Sequence, residues 1–212
     1  MPVQVRFACE LTSEEYVSQQ GWTKASLERC PLHPAGGCGV QRHGTYERVE
    51  PPGTRIARWY CWAGQTTIGL LPDCLASHVS GSLAEVEAAA EAVEQADSVE
   101  SAADELRKDI DLPGAVRWTR RRRQWVRALL TTLRGQMPEQ LGSCEPTLAS
   151  FRAALGVTDV LVTLRAIAAE HLTHLPVPVG FDHRARRGGG RGGRAQQWTG
   201  ADPPRARSDG RS

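Results

Sequence analysis

Residues 30–61 read CPLHPAGGCGVQRHGTYERVEPPGTRIARWYC, and the fold class turns on them. Cys30, His33 and Cys38 follow a Cys-x2-His-x4-Cys spacing, His43 comes shortly after, and Cys61 closes the stretch. Zinc takes thiolate and imidazole ligands in a tetrahedron, and ligands carried on separate turns staple a segment too small to build its own core. The spacing resembles a zinc knuckle, so the candidate metal set is Cys30, His33, Cys38 and Cys61, with zinc as the ion. His43 and Cys74 are alternative fourth ligands. A complete zinc ribbon would place a second ligand pair at Cys61, but Gly64 stands three residues on. The competing reading is a ribbon-like β segment that has lost its metal and keeps buried, reduced thiols.

Within this stretch Gly36-Gly37 and Pro51-Pro52-Gly53 are turn formers separating short strand-like runs around Tyr46 and from Ile56 to Cys61. Upstream, Val3–Phe7 alternates apolar and polar residues as a half-buried strand does, and Thr12 with Glu15 forms a capping box for a short helix. Downstream the period changes. Leu83, Val86, Ala90 and Val93 recur at helical spacing after the cap residue Ser82, and a second helix follows Ser98 with Val99, Ala102, Ala103 and Leu106 on one face. Pro113-Gly114 precedes a helix expected over 115–134, and further helices are expected near 147–155 and 159–172.

Three blocks carry a resemblance to a known family: Cys30-Pro31, then His43-Gly44-Thr45-Tyr46-Glu47-Arg48, then Arg58-Trp59-Tyr60-Cys61 followed by Thr66-Thr67 and Leu70-Leu71-Pro72. Over roughly residues 30–80 the chain resembles the N-terminal zinc-ribbon segment of bacterial insertion-sequence-associated, transposase-like proteins. The resemblance implies Cys-x2-Cys pairs on both sides of the His-Gly-x-Tyr-x-Arg stretch, a following helix-turn-helix, and association with DNA. Cys30, Cys38 and Cys61 match that pattern. The partner of Cys61 is missing and the first knuckle is widened.

Charge is distributed unevenly along the 212 residues, although the formal net charge is only +2. Residues 82–111 hold ten acids against Arg107 and Lys108, whereas residues 112–138 hold seven arginines and no acid. Residues 181–212 add eight arginines against three aspartates. Clustered arginine is the electrostatic footprint of a phosphate-binding surface. At 100° per residue, Trp118, Trp125, Val126, Leu129, Leu130 and Leu133 share one side of the 115–134 helix. Arg117, Arg120, Arg121, Arg127 and Arg134 fall opposite, with Arg123 at the border. Arg122 projects between Trp118 and Trp125, where a guanidinium stacks on an indole. The helix at 98–106 followed by this one is helix-turn-helix-like, with eight residues, Arg107 to Gly114, as the connection. Arg117, Arg120, Arg121, Arg123 and Arg127 are the candidate nucleic-acid contacts. The competing structural reading pairs this basic face with the acidic helix at 82–96.

Six cysteines, at positions 9, 30, 38, 61, 74 and 144, are too sparse for a disulfide scaffold. No window approaches the roughly 18–20 apolar residues that a spanning helix needs, and the N-terminus lacks the order of a secretory signal, so a cytoplasmic protein without membrane contact is expected. Strand transfer on two metal ions requires three converging carboxylates, and Asp73, Asp159 and Glu170 are scattered. His171 and His174 form an isolated pair, and the glycines at 188–193 neither follow a strand nor open a helix. No catalytic residue is assigned.

These readings combine into an α+β protein: a zinc-ribbon-like module at 1–80, a helical module at 82–175 and a disordered Arg/Gly-rich tail at 176–212. The expected function is non-catalytic DNA binding as an accessory or regulatory protein of a mobile element, with RNA as a second partner for the tail. The alternative is a protein-interaction module whose basic helix meets an acidic partner.

Overall fold

In the computed structural model, which describes residues 3–181, the architecture is α+β. Strands β1 (Val3–Phe7), β2 (Gln41–Glu47), β3 (Arg55–Cys61) and β4 (Thr66–Pro72) form one sheet in the order β1-β4-β3-β2. The β2–β3–β4 meander is antiparallel, and β1 adds to the far edge parallel to β4, with Val3 opposite Ile68 and Phe7 opposite Pro72. Side chains alternate across a strand. Ala57, Trp59, Cys61, Ile68 and Leu70 therefore pack on one side with Cys30, Cys38 and Ala25. Ile56 and Leu71 face the other side, where Tyr16 of helix α1 (Ser13–Ser18) and the helical layer lie. Thr12 caps α1 through the expected reciprocal bonds with Glu15.

The helical layer comprises α2 (Leu83–Gln95), α3 (Val99–Leu106), α4 (Leu112–Gln136), α5 (Pro138–Leu141), α6 (Leu148–Leu155) and α7 (Val160–Ile167). Helix α4 begins three residues earlier than expected. Asp111 is its cap, accepting from the Gly114 N–H, and Pro113 sits inside the first turn, where its missing N–H has no partner to lose. The α3–α4 connection is therefore Arg107–Asp111, five residues rather than eight. Leu83, Val86 and Ala90 of α2 meet Val126, Leu129, Leu130 and Leu133 of α4 in the main core.

Three of the four carboxylates of helix α2 serve α6 and α7, while the fourth, Glu85, closes the Ser82 capping box and acts on Arg122 of α4. Glu87, only 6% exposed, accepts from the Val160 and Leu161 N–H groups at 3.0 and 2.8 Å, and Glu94 accepts from the Leu148 N–H at 3.0 Å. These are the unsatisfied first-turn donors of α7 and α6, and an anion placed there also meets the positive end of each helix dipole. Arg152 of α6 bridges Glu87 and Glu91 at 3.1 and 2.5 Å.

Two boundaries differ from the sequence expectation. The break expected near residue 81 is crossed by one core, which contains Tyr16, Ile56 and Leu71 as well as Leu129, Phe151 and Leu164. Pro176–Phe181, expected to open the tail, is buried throughout. That segment lacks helical or strand periodicity because its polar groups bond individually: Ser77 donates to the Pro178 carbonyl at 2.9 Å, and the Phe181 N–H donates to Leu172 at 2.6 Å. A side chain at Gly180 would collide with the Leu175 carbonyl. The remainder of the expected tail, 182–212, lies outside the described residues.

The fully buried Arg165 of α7 joins these parts. It donates to carbonyls of Pro72, Asp73 and Leu75 at the end of β4, and to Pro178 and Val179 of the C-terminal segment. Burial pushes its pKa down, while Asp73 and the ring of carbonyl dipoles favour the charged form. Asp73 is itself gripped by Arg6 of β1 through two 2.7 Å hydrogen bonds. Replacing Arg165 with Met keeps most of the volume but removes the donor from the Asp73, Leu75 and Val179 carbonyls, whereas Pro178 keeps Ser77 and Pro72 keeps the Leu75 N–H. The expected loss is about 3 kcal/mol of stability in urea unfolding, because each buried acceptor retains its desolvation penalty.

Candidate metal centre and basic helix

Cys30 and His33 lie on a tight turn in which the His33 N–H donates to the Cys30 carbonyl at 3.2 Å. The chain reverses through Gly36 and Gly37, at φ +86° and +76°, a region where a side chain is strained, and this returns Cys38 to the same spot. Cys61 ends β3 opposite Thr66, and the Ala63 N–H donates to the Cys38 carbonyl at 3.2 Å, joining the β3–β4 turn to the loop.

The ligand atoms of Cys30, His33, Cys38 and Cys61 all lie within 4.8 Å of one another, with the three cysteines buried and His33 half-buried. His33 Nδ1 is 3.7 Å from Cys30 Sγ and 3.3 Å from Cys61 Sγ. Metal–ligand bonds of zinc length in a tetrahedron place sulfur and nitrogen about 3.6 Å apart, so the observed spacing fits a single ion of that kind. The alternatives for the fourth position lie elsewhere. His43 is exposed against the Tyr60 ring at 5.7 Å, and Cys74 belongs to the main core, where burial pushes its thiol up to about 12.

The thiols differ. Burial pushes Cys30 up, but hydrogen bonding with His33, the Leu32 backbone, Cys38 and Cys61 outweighs it and brings the thiol down to about 6, toward the thiolate that ligates metals. Burial raises Cys61, opposed by the Gly64 N–H, which donates to its sulfur at 3.3 Å. Gly64, which looks like a missing ligand in the sequence, thus supports the ligand beside it. It must also be small: a Cβ there would lie 3.0 Å from Leu32 Cδ1 and 3.3 Å from both Cys61 Sγ and His33 Cε1.

On α4, Arg117, Arg120, Arg121, Arg123 and Arg127 are all exposed. Among the described residues one side chain of the five has an ion pair, Arg120 with Glu100 of α3 at 2.6 Å, both partners more than half exposed. Arg134, expected on the same face, is half-buried and donates to the Gly142 carbonyl. Arg122 lies 3.5 Å over the Trp118 ring and 5.9 Å from that of Trp125. Arg107 approaches Trp118 at 4.8 Å, so two guanidinium groups flank the same indole. Among the described residues no helix is long and apolar enough to cross a membrane. No family model, curated protein or solved structure matches the chain.

Gly64→Ala is expected to weaken binding of a thiolate-seeking ion. Cobalt(II) titration followed by its sulfur charge-transfer absorption reads this as a rightward shift of the binding curve against the parent protein.

Proposed function

We propose that this chain is a non-catalytic DNA-binding protein, an accessory or regulatory component of a mobile element, whose zinc-stapled sheet supports a helix that meets DNA through arginine. One observation carries the reading: α4 presents five exposed arginines while Glu87, Glu91 and Glu94 of α2 are committed to α6 and α7. Only Arg120 of the five meets an acid among the described residues, Glu100 of α3, and that pair is exposed on both sides.

Arginine suits this role because its planar fork matches phosphate oxygens and guanine edges. Helices α3 and α4, joined by Arg107–Asp111, form the helix-turn-helix-like pair, with α4 as the reading helix. Trp118 and Trp125 seat it at the boundary between buried and exposed faces. The ion in the Cys30, His33, Cys38 and Cys61 set is zinc, since three thiolates and an imidazole form a soft, closed set with no open coordination position, as in structural sites. The Arg/Gly-rich tail adds a sequence-independent attraction to DNA or RNA.

The second reading, a protein-interaction module, is favoured by the Arg120–Glu100 pair, which shows the face accepting a carboxylate. Salt separates the two. Binding of a random duplex is expected to weaken steeply with salt, and the triple variant Arg117→Ala, Arg120→Ala, Arg121→Ala should lower the log–log slope by about 3. An unchanged slope and affinity would remove α4 from the interface.

Metal analysis of purified protein is expected to give about one zinc ion per chain, lost in Cys30→Ser with Cys61→Ser. Zinc retained by that double variant would contradict the assigned ligand set.

A further inference from the structure

The β2–β3 edge of the sheet carries aromatic rings that the fold does not bury. Trp62, in the turn after β3, is 58% exposed. Its ring packs edge-to-face on Tyr60, with centroids 4.8 Å apart, and Tyr60 meets the exposed His43 of β2 at 5.7 Å. The Trp62 indole is seated rather than loose: it lies over Gly39, where a Cβ would be 3.6 Å from its ring, and its loop is tied to Cys38 by the Ala63 N–H. Tyr60 shares its sheet face with Arg58, which stacks on Tyr46 at 5.9 Å and keeps a buried Nε without a hydrogen-bond partner.

Charge points to the occupant. From Arg29 to Tyr46 and from Arg55 to Pro72 the chain contains Arg29, Arg42, Arg55 and Arg58 and no acidic residue. Arg42 donates to the carbonyls of Trp22, Thr23 and Ala25, and Arg55 pairs with Glu47; Arg29 is exposed, Arg58 is half-buried, and neither has an ion pair among the described residues. Glu28 and Glu47 flank these stretches, and Glu47 is taken up by Arg55; the exposed rings and remaining cations suit a polyanion that offers flat π faces. In a duplex those faces are stacked inside and only base edges are presented. Unpaired nucleotides offer both the faces and the phosphates.

We propose that the His43–Tyr60–Trp62 ladder is a binding site for unpaired nucleobases, with Arg58 and Arg29 meeting the adjoining phosphates. The protein then holds nucleic acid in two ways, duplex through α4 and single strand through the sheet edge. This site uses different elements from α4, so the two fail independently.

The test is fluorescence anisotropy of the full zinc-loaded chain with a dye-labelled oligothymidylate of about ten nucleotides and, separately, a random duplex. Trp62→Ala is expected to weaken oligothymidylate binding about 10-fold and leave the duplex within about twofold, while Trp62→Phe retains most single-strand affinity. Tyr60→Ala, checked for folding by zinc content, should act in the same direction. The α4 triple variant should show the reverse pattern. Oligothymidylate binding that is absent, or unchanged in both Trp62→Ala and Tyr60→Ala, overturns the proposal. The latter outcome would return these rings to a protein-contact role, and the duplex result would stand by itself.

Discussion

The fold depends on a single buried cation. Arg165 brings a full positive charge into the core, where a guanidinium is tolerated only if its donors are answered. Among the described residues no carboxylate answers them directly. Carbonyls from the end of β4 and from the C-terminal segment converge on it, while Asp73, held by Arg6, supplies negative charge nearby. Arg165 thereby does for irregular backbone what a sheet ladder does for strands. With Ser77, which donates to the Pro178 carbonyl, it joins two irregular segments, and it fixes α7 against the end of the sheet. Because Arg6 belongs to β1 and Asp73 follows β4, the same network also seals the parallel edge pair.

A second constraint, the division of labour among acids, follows from that placement of α7. With α7 fixed, its first-turn N–H groups face α2, and Glu87 becomes their acceptor. Glu94 does the same for α6, and Arg152 ties Glu87 to Glu91. Three acids of the acidic block, Glu87, Glu91 and Glu94, are thus used inside the fold, in holding two helices. The arginine block of α4 is left, among the described residues, with few counter-charges: Glu100 of α3 pairs with Arg120, and Glu85 of α2 acts on Arg122. Seven arginines on one 25-residue helix repel one another, and a chain that only needed stability would dilute them. Stacking of Arg122 on Trp118 and the charge of Glu85 offset part of this repulsion on the inner margin, and solvent screens the rest.

Local chemistry was legible in the sequence, and long-range chemistry was not. Thr12 with Glu15, and Ser82 with the helix it starts, were readable because a cap acts within four residues. The Cys30, His33, Cys38 and Cys61 set was readable because ligand identity is restricted to few residue types, although the choice among His33, His43 and Cys74 needed the turn at Gly36-Gly37. Asp111 went unread as the α4 cap because Pro113 looks like a boundary when it is in fact a first-turn residue. Nothing local announces that β1 pairs with β4 more than sixty positions on, that Arg165 belongs inside, or that Pro-Val-Pro-Val-Gly-Phe at 176–181 is core. The irregular 176–181 segment resembles a tail because its hydrogen bonds go to single distant partners and leave no period.

Gly64 shows how an incomplete motif can still make a complete site. The outer face of the sheet has a small buried cluster, Ala25, Cys30, Cys38, Ala57, Trp59, Cys61, Ile68 and Leu70, and three of these eight are ligand thiols. Apolar burial on that scale does not by itself offset the entropy of ordering a loop with glycines at 36, 37 and 39. An ion held by the proposed ligand set would supply what the hydrophobic surface lacks, at the point where the loop meets the end of β3. His33 occupies the ligand place that Gly64 vacates, and Gly64 in turn provides the space and the N–H that His33 and Cys61 require. The departure from paired cysteines is therefore a rearrangement in which three ligands come from one loop and one from the sheet. That arrangement couples metal occupancy to the turn carrying Trp62 more tightly than two symmetric knuckles would.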